Sequence, residues 1–326
     1  MTDASDTHCP RLSVVIPTYN RSDLIVQCVA SLQDQRNIDF EIVVVDDGGS
    51  DDTNEALARD FPNVRVIRRA SNGGFAKAVN TGIEAAQGEY IFLLNNDMTL
   101  APDCLSQLAA AADDGDAAIL GPLVLMAHDH GLIYSAGDRI RANGRPESIG
   151  FRERLDDFDF SEPVFGITAG AALYKRAVFN AIGYFDETFI AYFEDADLCF
   201  RARLAGFTCA LIRDAIVYHR GSASIDSRLW WRTRQCFRNH ALLILKNFPF
   251  ALMTRHCPAI VGERLRGVAR TFSAVRCDRG AIDALAELGR VGREVVLLMP
   301  RTLRARRVIQ RKRVVSASDV ERWLTP

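Results

Sequence analysis

The chain has 326 residues, 48% of them apolar, with 40 basic and 41 acidic side chains, enough to enclose a full α/β core and leave roughly a hundred residues beyond it. No run approaches the ~18 apolar residues of a membrane span, and Met1–Pro10 is polar, without the basic and apolar regions of a signal peptide, so a cytoplasmic protein is expected. The eight cysteines lie far apart with no C-x-x-C pair, which argues for reduced core thiols and against a disulfide framework or a zinc site.

The net charge of −1 is a cancellation: residues 1–227 carry 19 basic and 34 acidic side chains, whereas residues 228–326 carry 21 basic and 7 acidic. A polar N-terminus (1–11), a folded acidic part (12–227) and a basic C-terminal part (228–326) follow, the last suited to an anionic partner.

Leu12–Ile16 is a short apolar strand broken by Pro17-Thr18-Tyr19-Asn20-Arg21, after which Ser22 is placed to cap a helix running to about Gln35. Glu41–Val45 repeats the pattern and ends in Asp46-Asp47-Gly48-Gly49-Ser50 before a helix over Asp52–Asp60. Val64–Ile67 leads to Asn72-Gly73-Gly74 and a helix over Phe75–Ala86, and Gly88 closes it. The fourth strand starts at Tyr90, within Tyr90–Leu100, whose apolar run stops at Asn95-Asn96-Asp97. Four strand–helix units in sequence point to a doubly wound, mostly parallel α/β sheet. Its C-terminal edge gathers Tyr19, Asp47, Asn72 and Asp97, where such sheets bind ligands. Asp47 there can accept from the N–H of a pyrimidine base with Tyr19 against the ring; as a turn and helix cap the same acidic-glycine loop is equally well explained. Asp97 offers hard oxygen to a divalent cation on a diphosphate, and Asn95 and Asn96 offer uncharged hydrogen bonds.

Ala118–Met126 and Leu132–Ala136 suggest a hairpin, followed by a mobile acceptor-side loop over Asp138–Asp159. Val164–Tyr174 reads as a strand kept bare by Gly166, Ala169, Gly170, Ala171 and Ala172. Apolar residues from Leu198 to Ala205 at helical spacing place Glu194 and Asp195 at a helix N-terminus, where the macrodipole favours carboxylates. A carboxylate fixed there can also be the base that takes the proton of an attacking hydroxyl; Asp195 is the choice, with Glu194 orienting substrate or raising its proton affinity. Thr208–Leu211 and Ala215–Tyr218 read as two short strands, and His219 follows as a candidate metal ligand with Asp97.

Past Ser227, Phe237, Ala241, Ile244, Leu245 and Phe248 mark an amphipathic helix that starts at Trp230 and Trp231 among arginines, as at a membrane interface. Helices over Ala259–Ser273 and Ala281–Leu298 follow, and Pro300 begins a last basic one, with seven basic and no acidic residues in 301–313. Membrane lipid is the expected anionic partner, no nucleic acid is expected for want of a recognition fold, and the apolar helices also allow a homo-oligomer.

Val14–Arg21, Val43–Ser50, Asn72–Ala76 with Asn80 and Gly82, Leu94–Asp97 and Phe193–Leu198, in this order, resemble glycosyltransferase family 2. The resemblance implies a GT-A nucleotide-sugar fold, carried by a C-terminal helical extension. The Asn-Asn-Asp form, His219–Ser222 and Arg238-Asn239 look like bacterial rhamnosyltransferases and galactofuranosyltransferases of cell-surface polysaccharide. That implies inverting transfer from a dTDP- or UDP-sugar to a glycan or polyprenyl-diphosphate-linked acceptor at the inner face of the cytoplasmic membrane. By the same resemblance Pro17, Tyr19 and Asp47 hold the nucleoside, with Arg21, Asn72, Lys77 and Asn95 as further donor contacts. Asn96 and Asp97 meet diphosphate and Mg²⁺ or Mn²⁺, His219 matches a metal ligand, and Asp195 is the base. Asn95-Asn96-Asp97 departs from the family's acidic D-x-D pattern, which leaves fewer charges for a cation. A polyprenyl-phosphate sugar synthase and a non-catalytic sugar-nucleotide-binding protein are the alternatives.

Overall fold

A computed structural model describes residues 10–221 and 229–326. The expected flexible N-terminus, up to residue 9, Ser222 and the expected boundary at 227–228 lie outside the described residues. The first half alternates strand and helix: β1 (Leu12–Thr18), α1 (Ser22–Gln33), β2 (Phe40–Asp46), α2 (Thr53–Asp60), β3 (Arg65–Arg68), α3 (Phe75–Ala85), β4 (Tyr90–Leu94), β5 (Met98–Leu100) and α4 (Cys104–Asp114). The middle is β6 (Ile119–Met126), β7 (Asp129–Ser135), β8 (Asp138–Arg141), β9 (Pro146–Ser148), β10 (Ala171–Lys175), α5 (Arg176–Ile182), α6 (Glu194–Leu204) and β11 (Cys209–His219). The end is helical: α7 (Leu229–Asn247), α8 (Phe250–Arg255), α9 (Cys257–Arg279), α10 (Ala281–Lys312) and α11 (Ala317–Trp323), closed by β12 (Leu324–Thr325).

The main sheet has the order β3-β2-β1-β4-β10-β6-β11-β5, with β7 paired to β6. Its first four strands are parallel, and β10 enters antiparallel between β4 and β6. Alternation along each strand sends neighbours to opposite faces. Val15, Val43, Val45 and Leu93 therefore pack under α3, α6 and α7, while Val14, Ile16, Val44 and Phe92 pack under α1 and α4. Helices cover both faces, so the strands read as unbroken apolar runs.

Several local expectations are corrected. Ser22 is the first helical residue and does not cap; its N–H is satisfied by the Asp51 carboxylate (2.9 Å). Tyr90–Leu100 is two strands in different places of the sheet, with Asn95–Asp97 as the crossing. Only Ala171–Lys175 of the expected Val164–Tyr174 strand pairs. Asp138–Asp159 is not a structureless loop: β8 and β9 form a hairpin that β12 completes as a second sheet, because the chain's far end returns to pair Leu324 with Ile140. Thr208–Leu211 and Ala215–Tyr218 belong to one strand, β11, whose register slips between Ile212 and Ile216 where the exposed Arg213 and Asp214 are accommodated. Pro300 starts no new helix but lies inside α10, whose buried Val291 and Thr302 hold both sides of it. Among the seven described cysteines all are free, yet Cys257 and Cys277 are exposed.

Candidate active site

Loops at the C-terminal ends of β1, β2 and β4 make one rim, tied together by side chains. Asn96 donates to Thr18 Oγ1 (2.8 Å), and Asn20, held at a positive φ of 51°, accepts from Ser50 N–H (2.6 Å). Asp47 is buried, and its carboxylate accepts from Arg69 and from the N–H groups of Gly73 (3.0 Å) and Gly74 (2.9 Å). It thus shapes the Asn72–Gly74 turn, in which Asn72 Oδ1 also accepts from Gly74 N–H (3.1 Å). Around it Pro17 is half-buried, Tyr19 is 42% exposed, Lys77 is exposed beside Gly73, and Arg21 pairs with Asp23 (2.9 Å).

Asp97 and His219 meet because β11 pairs antiparallel with β5, setting His219 opposite Met98. His219 Nε2 lies 3.3 Å from Asp97 Oδ2, while its Nδ1 accepts from Gly221 N–H (3.1 Å). With Nδ1 taken by Gly221, it is the Nε2 edge of the ring that faces Asp97. Among the described residues no group of three His, Cys, Asp or Glu side chains could hold a metal ion. A carboxylate and an imidazole edge this close do fit Mg²⁺ or Mn²⁺ held mainly by phosphate oxygens.

Asn95 leads from this rim into a cavity of about 630 Å³ between the sheet edge and α7 and α9, which Asp195 and Glu194 also line. Pro17, Tyr19, Arg21, Asp47, Asn72, Lys77, Asn96, Asp97 and His219 are outside its lining, which comes next to them at Asn95, Phe75 and Tyr134. Gly170 packs tightly at the join, where a Cβ would stand 3.0 Å from Asn95 Nδ2. Asp195 accepts from Ala196 N–H (2.7 Å) and from Thr168 Oγ1 (3.2 Å). Burial lifts its carboxyl above the ordinary range, against these bonds. Asp138, also in the lining, is pushed up to about 8 by burial and by the charge of Asp195, while Ser148 donates to it (3.0 Å). Burial, and then the charge of Asp195, also push the Glu194 carboxyl well above the usual carboxylate range, with one buried oxygen, Oε2, unpartnered among the described residues.

The backbone before this pair is strained. Ile190, Tyr192 and Phe193 have φ of 66°, 67° and 70°, a region costly for side chains of their shape. Asn239 of α7, wholly buried, holds the loop by donating from Nδ2 to the carbonyls of Phe189 (2.9 Å), Ala191 (2.9 Å) and Tyr192 (2.7 Å). Arg238 donates to Thr188 O (2.7 Å) and to Asn239 Oδ1 (2.7 Å), and is itself held by Glu294 of α10 (2.9 Å). From the other side Ala76 N–H donates to Ile190 O (3.2 Å), so the turn after Asn72 and the loop before Asp195 touch.

Sequence reasoning missed Asp138, Thr168, Tyr134 and the work of Asn239. Tyr134 lies between the two halves: its ring centroid is 4.0 Å from that of His219, and it lines the cavity. A lone Asp after a glycine and a Thr before small residues carry no signal at a fixed spacing. Trp230 and Trp231, expected at a lipid interface, are half-buried under Arg279 and against Tyr192.

Among known proteins, an N-acetylglucosaminyl-diphospho-decaprenol L-rhamnosyltransferase of Mycobacterium tuberculosis is 27% identical over 240 residues, covering 65% of this chain and 77% of that protein. The uncharacterized protein y4gI of Sinorhizobium fredii is 29% identical over 231 residues, which cover 66% of this chain and only 25% of that protein. A mannosyltransferase of Pyrobaculum calidifontis, solved with GDP-Man and Mn²⁺, superposes with a TM-score of 0.56 at 19% identity over 93% of this chain and 88% of that one, a likeness of the GT-A fold. The family described as Glycosyl transferase family 2 matches residues 13–183, more than half of the sequence, and the chain belongs to it.

Proposed function

We propose an inverting glycosyltransferase that moves a rhamnose-like or galactofuranose-like sugar from a dTDP- or UDP-sugar to a hydroxyl of a cell-surface glycan or polyprenyl-diphosphate-linked acceptor, at the inner face of the cytoplasmic membrane. Residues 12–227 form its catalytic domain, and the basic helices beyond it meet the membrane. One observation carries the reading: the Asp195 carboxyl lines a cavity that reaches Asn95, next to Asn96 and Asp97 on the rim that Asp47 shapes. The rhamnosyltransferase relative, named for a lipid-diphosphate acceptor, supports the acceptor class.

In this reading the nucleoside lies along Pro17, Tyr19 and Asp47, with Arg21, Asn72 and Lys77 beside it and the diphosphate at Asn95, Asn96 and Asp97. Asp97 and His219 hold a divalent cation, which offsets negative charge on the leaving diphosphate. The acceptor hydroxyl, in the cavity, forms a bond to the anomeric carbon as the bond to the diphosphate oxygen breaks, and its proton goes to Asp195. Thr168 fixes the orientation of that carboxylate, and burial raises its affinity for the proton it is to take. Inversion follows from a single displacement on the face opposite the diphosphate.

Asp195→Asn should keep donor affinity while transfer falls by about 10²–10⁴-fold, as for loss of a general base. Thermal-shift titration with dTDP-, UDP- and GDP-sugars, with and without Mn²⁺, names the donor. Near-normal turnover of the Asn variant on the donor so found would remove Asp195 as base.

A further inference from the structure

We infer that the outward face of α10 is a docking surface for an anionic lipid bilayer, and that it seats the catalytic domain with its cavity near the lipid. The inference rests on the membrane-peripheral part of the proposed function and names the surface responsible.

At about 100° per residue, Ala284, Val291 and Thr302 share one side of α10, and all are buried against the rest of the protein. On the opposite side stand Ile282 (85% exposed), Leu285 (63%), Val296 (63%), Leu297 (66%) and Leu303 (39%), and nothing comes within 4 Å of a Cβ built at Gly289 or Gly292 between them. Isolated exposed aliphatics are ordinary, but five along one face of one helix are not. Arg293, Arg304, Arg307 and Arg311 project on this same side, and none has a hydrogen bond or ion pair among the described residues. The acidic residues of α10 are elsewhere: Glu287 and Glu294 bind Arg234 and Arg238 on the packed side, and Asp283 lies on a flank.

Charge decides the occupant. A second copy of this face would bring arginines against arginines in a parallel pairing, and in an antiparallel one would bury them on aliphatics, with no carboxylate on the face in either case. A bilayer of anionic lipid satisfies both components at once, with aliphatics in the acyl boundary and arginines at the phosphates. The other arm of the same helical hairpin, α9, adds Val261 (49% exposed), Leu265 (66%) and Val268 (39%) at i, i+4, i+7. No helix among the described residues is long and apolar enough to cross a membrane, so α10 lies along the surface.

The test is flotation of the full chain with vesicles of phosphatidylcholine, alone or mixed with phosphatidylglycerol, at low and high salt. Two variants accompany it: Ile282→Ser/Leu285→Ser/Val296→Ser/Leu297→Ser and Arg293→Glu/Arg304→Glu/Arg307→Glu/Arg311→Glu. Binding to the mixed vesicles, weakened by salt and reduced about tenfold or more by each variant, is the expected result. The inference is overturned if the wild type does not float with phosphatidylglycerol, if both variants float as well as it does, or if sedimentation shows that the serine variant instead splits a dimer. Calorimetry with UDP and dTDP on the same preparations separates the two readings. Intact nucleotide binding without flotation overturns this surface alone, whereas flotation without nucleotide binding leaves it standing and removes the donor site.

Discussion

Asn239→Leu tests whether α7 positions the proposed base. Asn239 has two Nδ2 hydrogens for three carbonyl acceptors, at 2.7–2.9 Å, so at least one hydrogen is shared. Leucine fits a similar volume but leaves those carbonyls without a donor in a site closed to solvent. Each orphaned group costs about 1–3 kcal/mol, and the loop escapes part of that by relaxing its left-handed residues, which themselves store about 1–3 kcal/mol each. A net loss of about 2–4 kcal/mol follows, read as a lower urea midpoint. The functional consequence is larger than stability alone predicts, because the relaxed loop is the one that delivers Glu194 and Asp195 to α6. Displacing a reacting group by about 1 Å costs on the order of 10²-fold, so kcat should fall by about that factor at temperatures where the variant is folded. Donor affinity should fall as well, though by less than kcat, because the loop reaches the donor-side turn through the hydrogen bond from Ala76 N–H to Ile190 O. Asn239→Gln, which keeps the amide, should recover part of kcat. A leucine variant with wild-type kcat would refute the positioning role even if it were less stable.

Other changes probe separate parts of the site. Asp138 holds its proton up to about pH 8 in the folded chain, so its contribution to stability is complete below the unfolded carboxyl value and is lost as pH rises toward 8. Wild type should therefore lose stability relative to Asp138→Asn by up to about 1.4 kcal/mol per pH unit between pH 5 and 8; parallel stability curves would count against it. Gly74→Ala places a Cβ 2.7 Å from Ile190 Cγ2 at a φ of +87°. It should destabilise by about 1–3 kcal/mol and weaken donor affinity and kcat together, since donor-side turn and base loop touch there; a change in only one of them would disprove the coupling. His219→Ala should raise the Mn²⁺ concentration for half-maximal transfer by about tenfold or more, and an unchanged metal titration would exclude it as a ligand.

The parallel half of the sheet is legible because Val43–Val45 and Ile91–Leu94 are buried on both faces and stop at polar residues, a pattern with few other solutions. The rim is legible for the same reason: strand order alone brings Thr18, Asp47 and Asn96 to one edge. The cavity half is not. Asp138 comes under the charge of Asp195 because its backbone pairs with Gly166, a long-range bridge that no local pattern announces. The amphipathic pattern of α7 also misleads, since Gln235, Arg238, Asn239, His240, Lys246 and Asn247 are all buried. Hydrophobic periodicity cannot register a helix whose inward side serves carbonyls and carboxylates.

Those buried polar groups explain the C-terminal charge. Arg238 holds the loop before Asp195; Lys246 joins Asp186 (2.7 Å) to the fully buried Asp197 (2.8 Å), which Arg201 (2.8 Å) and Asn247 (2.8 Å) also bind; and Arg306 donates to the carbonyls of Leu245 (3.1 Å), in the last turn of α7, and of Phe248 (2.6 Å), just past it. Proximity to Lys246 outweighs burial and holds the Asp186 carboxyl well below its usual range. Arg238 and Lys246 answer carbonyl and acidic groups of the N-terminal part, and so account for part of the opposite excess in the two halves of the sequence. Other basic residues pair locally, as Arg266 and Arg270 do with Glu263, while Arg293, Arg304, Arg307 and Arg311 on the outward side of α10 have no ion pair among the described residues. One helix thus grips, through Glu287 and Glu294, the arginines beside the base loop, and turns its own arginines outward. An acidic fold with a basic extension is the composition such a two-sided helix requires, since uniform charge would deprive either its inner face of partners or its outer face of an anionic surface to meet.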